Sequence, residues 1–236
     1  MNMLLLYLLG LWNCQEPFHI RLCQEWNDTY RGIQYRTVDR REAGKMLRLL
    51  TRQLKELIPA PEDTSLYFPL EGYDISSVGG NGSGYIERQY NFSHGNVHRG
   101  HPAHDIFIHD TNQDMVDDRT GKPAHVLAMA GGIVVAAKTD WAKNDSLRGG
   151  NYIMIYDPLR DRYYYYAHNN TVLVKIGDIV PPGFRIATVG RSGRNASPAR
   201  SSTHVHVMVI QLTDDRGKPI NYYEELKSAK TTKVLN

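Results

Sequence analysis

Hydrophobic and polar positions follow two different periods along the chain. In residues 38–58, Met46, Leu47, Leu49, Leu50, Leu54, Leu57 and Ile58 recur at helical spacing with lysines and arginines between them. That pattern predicts one amphipathic helix. Asp39 is placed to cap its start, and Pro59 and Pro61 stop it. No chemistry-bearing cluster lies on this helix, so its apolar face is expected to pack on the following domain or on a partner. Residues 66–70 form a short apolar, strand-like run, and the glycine-rich stretch 79–84 reads as a flexible loop. From there to about residue 212, short β-type runs alternate with Gly, Pro, Asn and Asp turns. Strands are predicted at 105–108, 132–137, 152–156, 163–167, 186–189 and 204–210. This spacing implies an all-β sheet, sandwich or barrel rather than βαβ units. Residues 222–230 predict a short helix before a frayed end.

The apolar run 3–9 is too short to span a bilayer and resembles the hydrophobic region of an export signal. No Lys or Arg precedes it, and no small-x-small cleavage site follows. Cys14 follows the run as in a bacterial lipoprotein signal, although Leu11-Trp12-Asn13 lacks the small residues expected before a lipidated cysteine. Export is the expectation, with a buried N-terminal segment as the alternative. The chain therefore divides into a signal or lipoprotein-type segment at 1–14, a helical region at 15–65, a β domain at 66–213, and a tail with a short helix at 214–236.

With 236 residues, the chain can bury a core without staples. A net charge of +3 without a dense Lys/Arg run is not a nucleic-acid-binding signature. Membrane attachment is expected only through the N-terminus. Cys14 and Cys23 form no Cys-x-x-Cys motif and lie far from the histidines in sequence, which argues against a thiolate zinc site. A disulfide between them stays open in an oxidising compartment.

The candidate chemistry centres on the run Thr203-His204-Val205-His206-Val207-Met208-Val209-Ile210. On a strand, residues i and i+2 share a face, so His204 and His206 point one way and Val205, Val207 and Val209 the other. Two such imidazoles can share a metal ion, or place one ligand beside one proton-transfer group; a pair of surface histidines fits the strand equally well. Two further segments supply the missing groups: His101-Pro102-Ala103-His104-Asp105 and Tyr163-Tyr164-Tyr165-Tyr166-Ala167-His168. A hydrolytic zinc site needs about three protein ligands and an open position for water. His101, Asp105 and His206 can provide the ligands, and His168 and His204 the proton transfer and charge stabilisation. No His-Glu-x-x-His is present, which argues against helix-based zincins.

The order His-x-x-x-Asp, then Tyr-x-His at a strand end, then His-x-His on a late strand resembles the lysostaphin-like zinc metallopeptidases, over roughly residues 68–212. Many of these cleave peptide stems or cross-bridges of bacterial peptidoglycan. The resemblance implies a largely antiparallel β fold with an open groove over the metal. It implies Zn2+ held by His101, Asp105 and His206, with His168 and His204 catalytic. Ala103 stands where the family often has Gly, Asn169 where Leu is common, and Val207 where Phe is common, and the stretch 194–202 approaching His204 is longer than usual.

The expected fold is thus mainly β, an antiparallel sheet or sandwich-like metallopeptidase domain with an N-terminal amphipathic helix. The expected function is zinc-dependent endopeptidase action on peptidoglycan peptides in the cell envelope, periplasmic, membrane-anchored or secreted. The alternatives are a non-catalytic cell-wall-binding or hydrolase-activating module of the same fold, and an unrelated β-sandwich that binds no stoichiometric zinc.

Other residues enter as rivals. His98 competes with His101 as first ligand, while His94, His104, His109 and His125 read as solvated loop histidines. His104 and Asp105 should point apart on an extended backbone. The Asp110–Asp118 stretch begins like a calcium loop, but Met115 stands where Gly is needed and Gly121 where Glu is needed, so it reads as a solvated acidic turn. Strict alternation puts Tyr164, Tyr166 and His168 on one face and Tyr163 and Tyr165 on the other. Arg191 and Arg194 are read as solvated or as meeting acidic stem peptides.

Overall fold

The computed structural model describes residues 16–97, 99–214 and 217–234. The export-signal reading, Cys14 and His98 lie outside these residues. Two helices come first: α1, Phe18–Tyr35, and α2, Arg40–Leu57. The strands follow as β1 Ala103–Phe107, β2 His125–Leu127, β3 Gly132–Lys138, β4 Asn151–Asp157 and β5 Arg162–Asn169. The remaining strands are β6 Ile179–Val180, β7 Arg185–Thr188, β8 His204–Gln211 and β9 Lys218–Ile220, and a last helix, α3, spans Tyr223–Ser228. The main sheet runs β1-β8-β5-β4-β3-β6, and β9 prolongs the β1 edge by pairing with the far end of β8. All its pairings are antiparallel. β2 and β7 make a separate antiparallel pair.

The six expected strands match β1, β3, β4, β5, β7 and β8 to within two residues at either end. The short β2, β6 and β9 carry too few residues to show a period. The 66–70 run forms only isolated bridges, Tyr67 to Lys230 and Leu70 to Val126. Helix α2 starts as expected: the Asp39 carboxylate accepts hydrogen bonds from the Arg41 and Glu42 amides, both at 3.0 Å. Helix α1 had no separate expectation. Its buried residues Leu22, Cys23, Trp26, Tyr30 and Ile33 do recur at helical spacing, but polar residues interrupt the stripe.

Pleating divides the sheet into two faces. On one, Tyr164, Tyr166, Val205, Val207 and Val209 join Ile153, Ile155, Phe68 and Leu226 in a fully apolar core. On the other, Tyr163, Tyr165, Met208 and Ile210 meet the helices through Trp26, Tyr30, Leu47, Leu50 and Leu54. Trp26 stacks on Tyr163 with ring centroids 5.2 Å apart, and the Thr51 and Tyr163 hydroxyls hydrogen-bond. Cys23 is fully buried at this junction, where desolvation pushes its thiol up to about 12. The helical pair thus packs on the face that carries His204 and His206. Among the described residues, no helix is long and apolar enough to cross a membrane.

Candidate metal centre

Strand register makes the first contact. Asp105 on β1 lies directly opposite His206 on β8, and Phe107 lies opposite His204. His206 Nδ1 is 2.9 Å from Asp105 Oδ1. His101 precedes β1 and is held by a two-way backbone pairing with Ile86, at 2.7 and 2.8 Å. This brings its Nε2 to 3.2 Å from Asp105 Oδ2. One ligand atom from each of His101, Asp105 and His206 lies within 4.8 Å of the others, and all three residues are half-buried. Among the described residues, no other trio of His, Cys, Asp or Glu is grouped so closely.

His168 and His204 flank this trio. Their ring centroids are 4.9 Å apart, and His168 is 5.6 Å from His206. His204 Nε2 is 3.8 Å from Asp105 Oδ1. Strict alternation placed His168 with Tyr164 and Tyr166; the structure corrects this. Between Asn151–Asn169 and Ile153–Tyr166 the β4–β5 register shifts, so two residues of β5 oppose one of β4. His168 also adopts a positive φ of 67°. Such a bulge reverses the side-chain parity, turning His168 to the face of Tyr165 and His206. Asn169 closes the bulge: its buried amide donates to the Tyr166 carbonyl at 3.0 Å and the Asn151 carbonyl at 3.3 Å. This accounts for an Asn where Leu was expected.

Backbone carbonyls orient three of the imidazoles. Nδ1–H donates to Gly84 O in His101 (2.9 Å), to Ser192 O in His168 (2.9 Å) and to Ser202 O in His204 (2.7 Å). A carbonyl can only accept, so the proton is on Nδ1 and the Nε2 lone pair is left for the site. Ser192 is brought in by a close backbone approach: Gly150, at φ +69°, packs so tightly on Ser192 and Gly193 that a Cβ there would lie 2.3 Å from backbone atoms. Ser192 Oγ then donates to Asn169 O and accepts from the Asn151 amide, both at 2.8 Å.

Arg191 sets the second carbonyl. Its guanidinium donates to Ser201 O at 2.6 Å, Pro198 O at 3.0 Å and Thr203 Oγ1 at 3.2 Å. It is an internal clamp on the long stretch before β8, contrary to the solvated or substrate-facing role expected for it. Thr203 Oγ1 in turn donates to Asp110 Oδ2 at 2.5 Å. Asp110 also accepts from the Asp114 and Met115 amides, and Asp118 from the Thr111 amide. The acidic turn's carboxylates thus serve its own backbone, which supports the turn reading over a calcium loop.

Electrostatics follow from burial and pairing. Burial opposes ionisation of Asp105, but hydrogen bonds from His101 and His206 outweigh it and hold the carboxyl well below the usual range. The hydrogen bond to Asp105 raises His101. Burial lowers His206 against the pull of Asp105. Burial, then the neighbouring His204 and His206, drives His168 well below its ordinary value, so it is neutral near pH 7.

Other histidines lie elsewhere. His94 and His109 are exposed, as expected of loop histidines. His104 is not solvated: it is buried on β1, points away from Asp105, and its Nε2 is 3.0 Å from Asn221 Oδ1. His125 is half-buried on β2.

Residues 112–222 match the family model described as Peptidase family M23. The β domain belongs to this family. The matched segment holds His168, His204 and His206, while His101 and Asp105 precede it. No curated protein matches the chain. Among solved structures, a LytM protein of Ruminococcus gnavus, assigned as a glycyl-glycine endopeptidase, is 18% identical with a TM-score of 0.50; the match covers 94% of this chain and 95% of that one. The catalytic domain of the prophage-encoded M23 protein EnpA of Enterococcus faecalis is 20% identical, covering 69% of this chain and 93% of that one, at a TM-score of 0.38. The catalytic domain of lysostaphin from Staphylococcus simulans is 17% identical, covering 66% and 88%, at 0.37. At these identities the Ruminococcus structure speaks for the shared fold alone. The M23 assignment agrees with the lysostaphin-like resemblance and with the mainly antiparallel β architecture.

Proposed function

We propose that the M23 domain is a zinc-dependent endopeptidase acting on the peptide stems or cross-links of bacterial peptidoglycan. The observation that carries this reading is the convergence of five polar side chains from four chain segments: a close His101–Asp105–His206 trio with His168 and His204 beside it. The donor set of two imidazole nitrogens and one carboxylate oxygen suits Zn2+. The carbonyl that fixes the His101 tautomer leaves Nε2 free to coordinate. When bound, zinc supplies Lewis acidity, lowering the pKa of water and polarising the scissile carbonyl.

The protein's own groups do the rest. His101, Asp105 and His206 hold the ion, and the ionised Asp105 offsets its charge. His168 and His204 each turn an Nε2 inward, with Nδ1 tied to a carbonyl. One accepts the proton of the attacking water; the other, once protonated, hydrogen-bonds the developing oxyanion. The depressed pKa of His168 keeps it in the accepting form at neutral pH. The peptidoglycan substrate, and with it a place in the cell envelope, is supported by the M23 match.

The test is digestion of purified peptidoglycan by the zinc-loaded protein, with products read by mass spectrometry. New peptide ends are expected with the parent and none with His204→Ala, which should still bind one zinc. Loss of zinc from His204→Ala would reverse the assignment of ligand and catalyst. Bound zinc without release from several wall types would defeat the reading.

A further inference from the structure

A cavity of about 170 Å³ adjoins the candidate metal centre. Its lining joins His101, His168 and His206 to Tyr165 and Met208 of the sheet and to Tyr30 and Gln34 of α1. The helix residues lie outside the segment that matches the M23 family, so this wall is the chain's own addition. Its polar groups are already engaged. Gln34 Oε1 accepts the hydroxyl proton of Tyr152 at 2.9 Å, and Arg148, also in the lining, donates from Nε to Asn195 Oδ1 at 3.3 Å. What remains facing the space is largely ring and thioether surface. Tyr30 is locked by stacking on Phe92 at 5.3 Å and by edge contact with Tyr152 at 5.8 Å, so the wall cannot readily collapse inward.

An apolar cavity of about 150 Å³ accepts a benzene-sized guest. A glycine beside the scissile bond would leave this space without contacts, whereas an apolar side chain would fill it. We propose that the cavity receives an apolar side chain, leucine- to phenylalanine-sized, of the substrate residue next to the scissile bond. The chain would then cut beside such a residue in preference to a glycyl-glycine bond, the bond assigned to the Ruminococcus neighbour. This rests on the peptidase reading of the same site.

Two readouts separate the claims. Synthetic peptides identical except for Gly, Ala, Leu or Phe at the positions flanking one bond are titrated calorimetrically into zinc-loaded His204→Ala, and are digested by the zinc-loaded parent. Binding should tighten from Gly to Leu or Phe by about tenfold or more, and kcat/KM should follow the same order. Gln34→Trp, which fills the cavity from α1, should erase or reverse the order; the parent's order stands as a test even if that variant misfolds. Affinity that is flat or highest for Gly would overturn the pocket, whatever the cleavage result. Side-chain-dependent binding with no cleavage of any peptide would keep the pocket and defeat the peptidase reading.

Discussion

The two faces of the central sheet come from the same strands and yet obey different rules. On β8, Val205, Val207 and Val209 enter a dry core, while His204 and His206, one residue out of phase, face the other way. The dry face is closed over by the β2–β7 pair and α3 and holds no charged group in its cluster. The opposite face starts as a comparable aromatic core under α1 and α2, but gives way at one end to imidazoles, a carboxylate and a cavity. The lesson is that one strand can serve stability and chemistry at once, because a period of two separates the tasks completely. A substitution should therefore damage one task and spare the other.

The sharpest break is expected from His206→Ala. Zinc binding, read by metal analysis after dialysis, should fall from one equivalent to none and cleavage to background, while the circular dichroism spectrum stays native. Ile155→Ala is the mirror experiment on the dry face, where Ile155 is fully buried. It should lower unfolding free energy in urea by about 2–5 kcal/mol and leave the zinc stoichiometry at one. A drop in zinc content there would show that the faces are coupled.

Arg191 allows a finer cut, because it acts on the site only through carbonyls. Arg191→Gln should lower kcat by about a hundredfold, the scale of a small misplacement of a catalytic group. KM and bound zinc should be nearly unchanged. Arg191→Lys should restore little, since a single ammonium cannot reproduce the planar fork that reaches Ser201, Pro198 and Thr203. An unchanged kcat in Arg191→Gln would show that Ser202 holds His204 without the clamp.

The smallest effect concerns pH. In the metal-free protein, burial depresses His104, His168 and His206 below their ordinary value of 6.5. On acidification the unfolded chain takes up these protons first, so their contribution is complete above about pH 6.5 and declines below it. Each such group contributes at most about 1.4 kcal/mol per pH unit, and the raised His101 works in the opposite sense. With chelator present, the melting temperature should fall from pH 6.5 towards pH 5. A flat profile there would mean that these histidines are solvated.

Much of this was legible in the residue order because it depends on local geometry. Asp39 caps α2 from the position its sequence context dictated, and the alternation in β8 set the shared face of His204 and His206 before any partner was known. The same alternation correctly turned His104 away from Asp105. The polar residues that the sequence singled out as a constellation do converge in space. Other features had no local cause. Alternation misplaced His168 because a bulge adds a residue to β5, and a bulge depends on what β4 and the Ser192 loop present to it. Arg191 looks like any loop arginine until the chain folds three acceptors around it. The packing of α1 on the histidine face, and the cavity left there, follow from fitting Tyr30 and Trp26 onto tyrosines more than a hundred residues away. Periodicity within a segment is a property of the backbone and can be read from the chain; which segments meet, and what space they leave between them, is settled only by close packing in three dimensions.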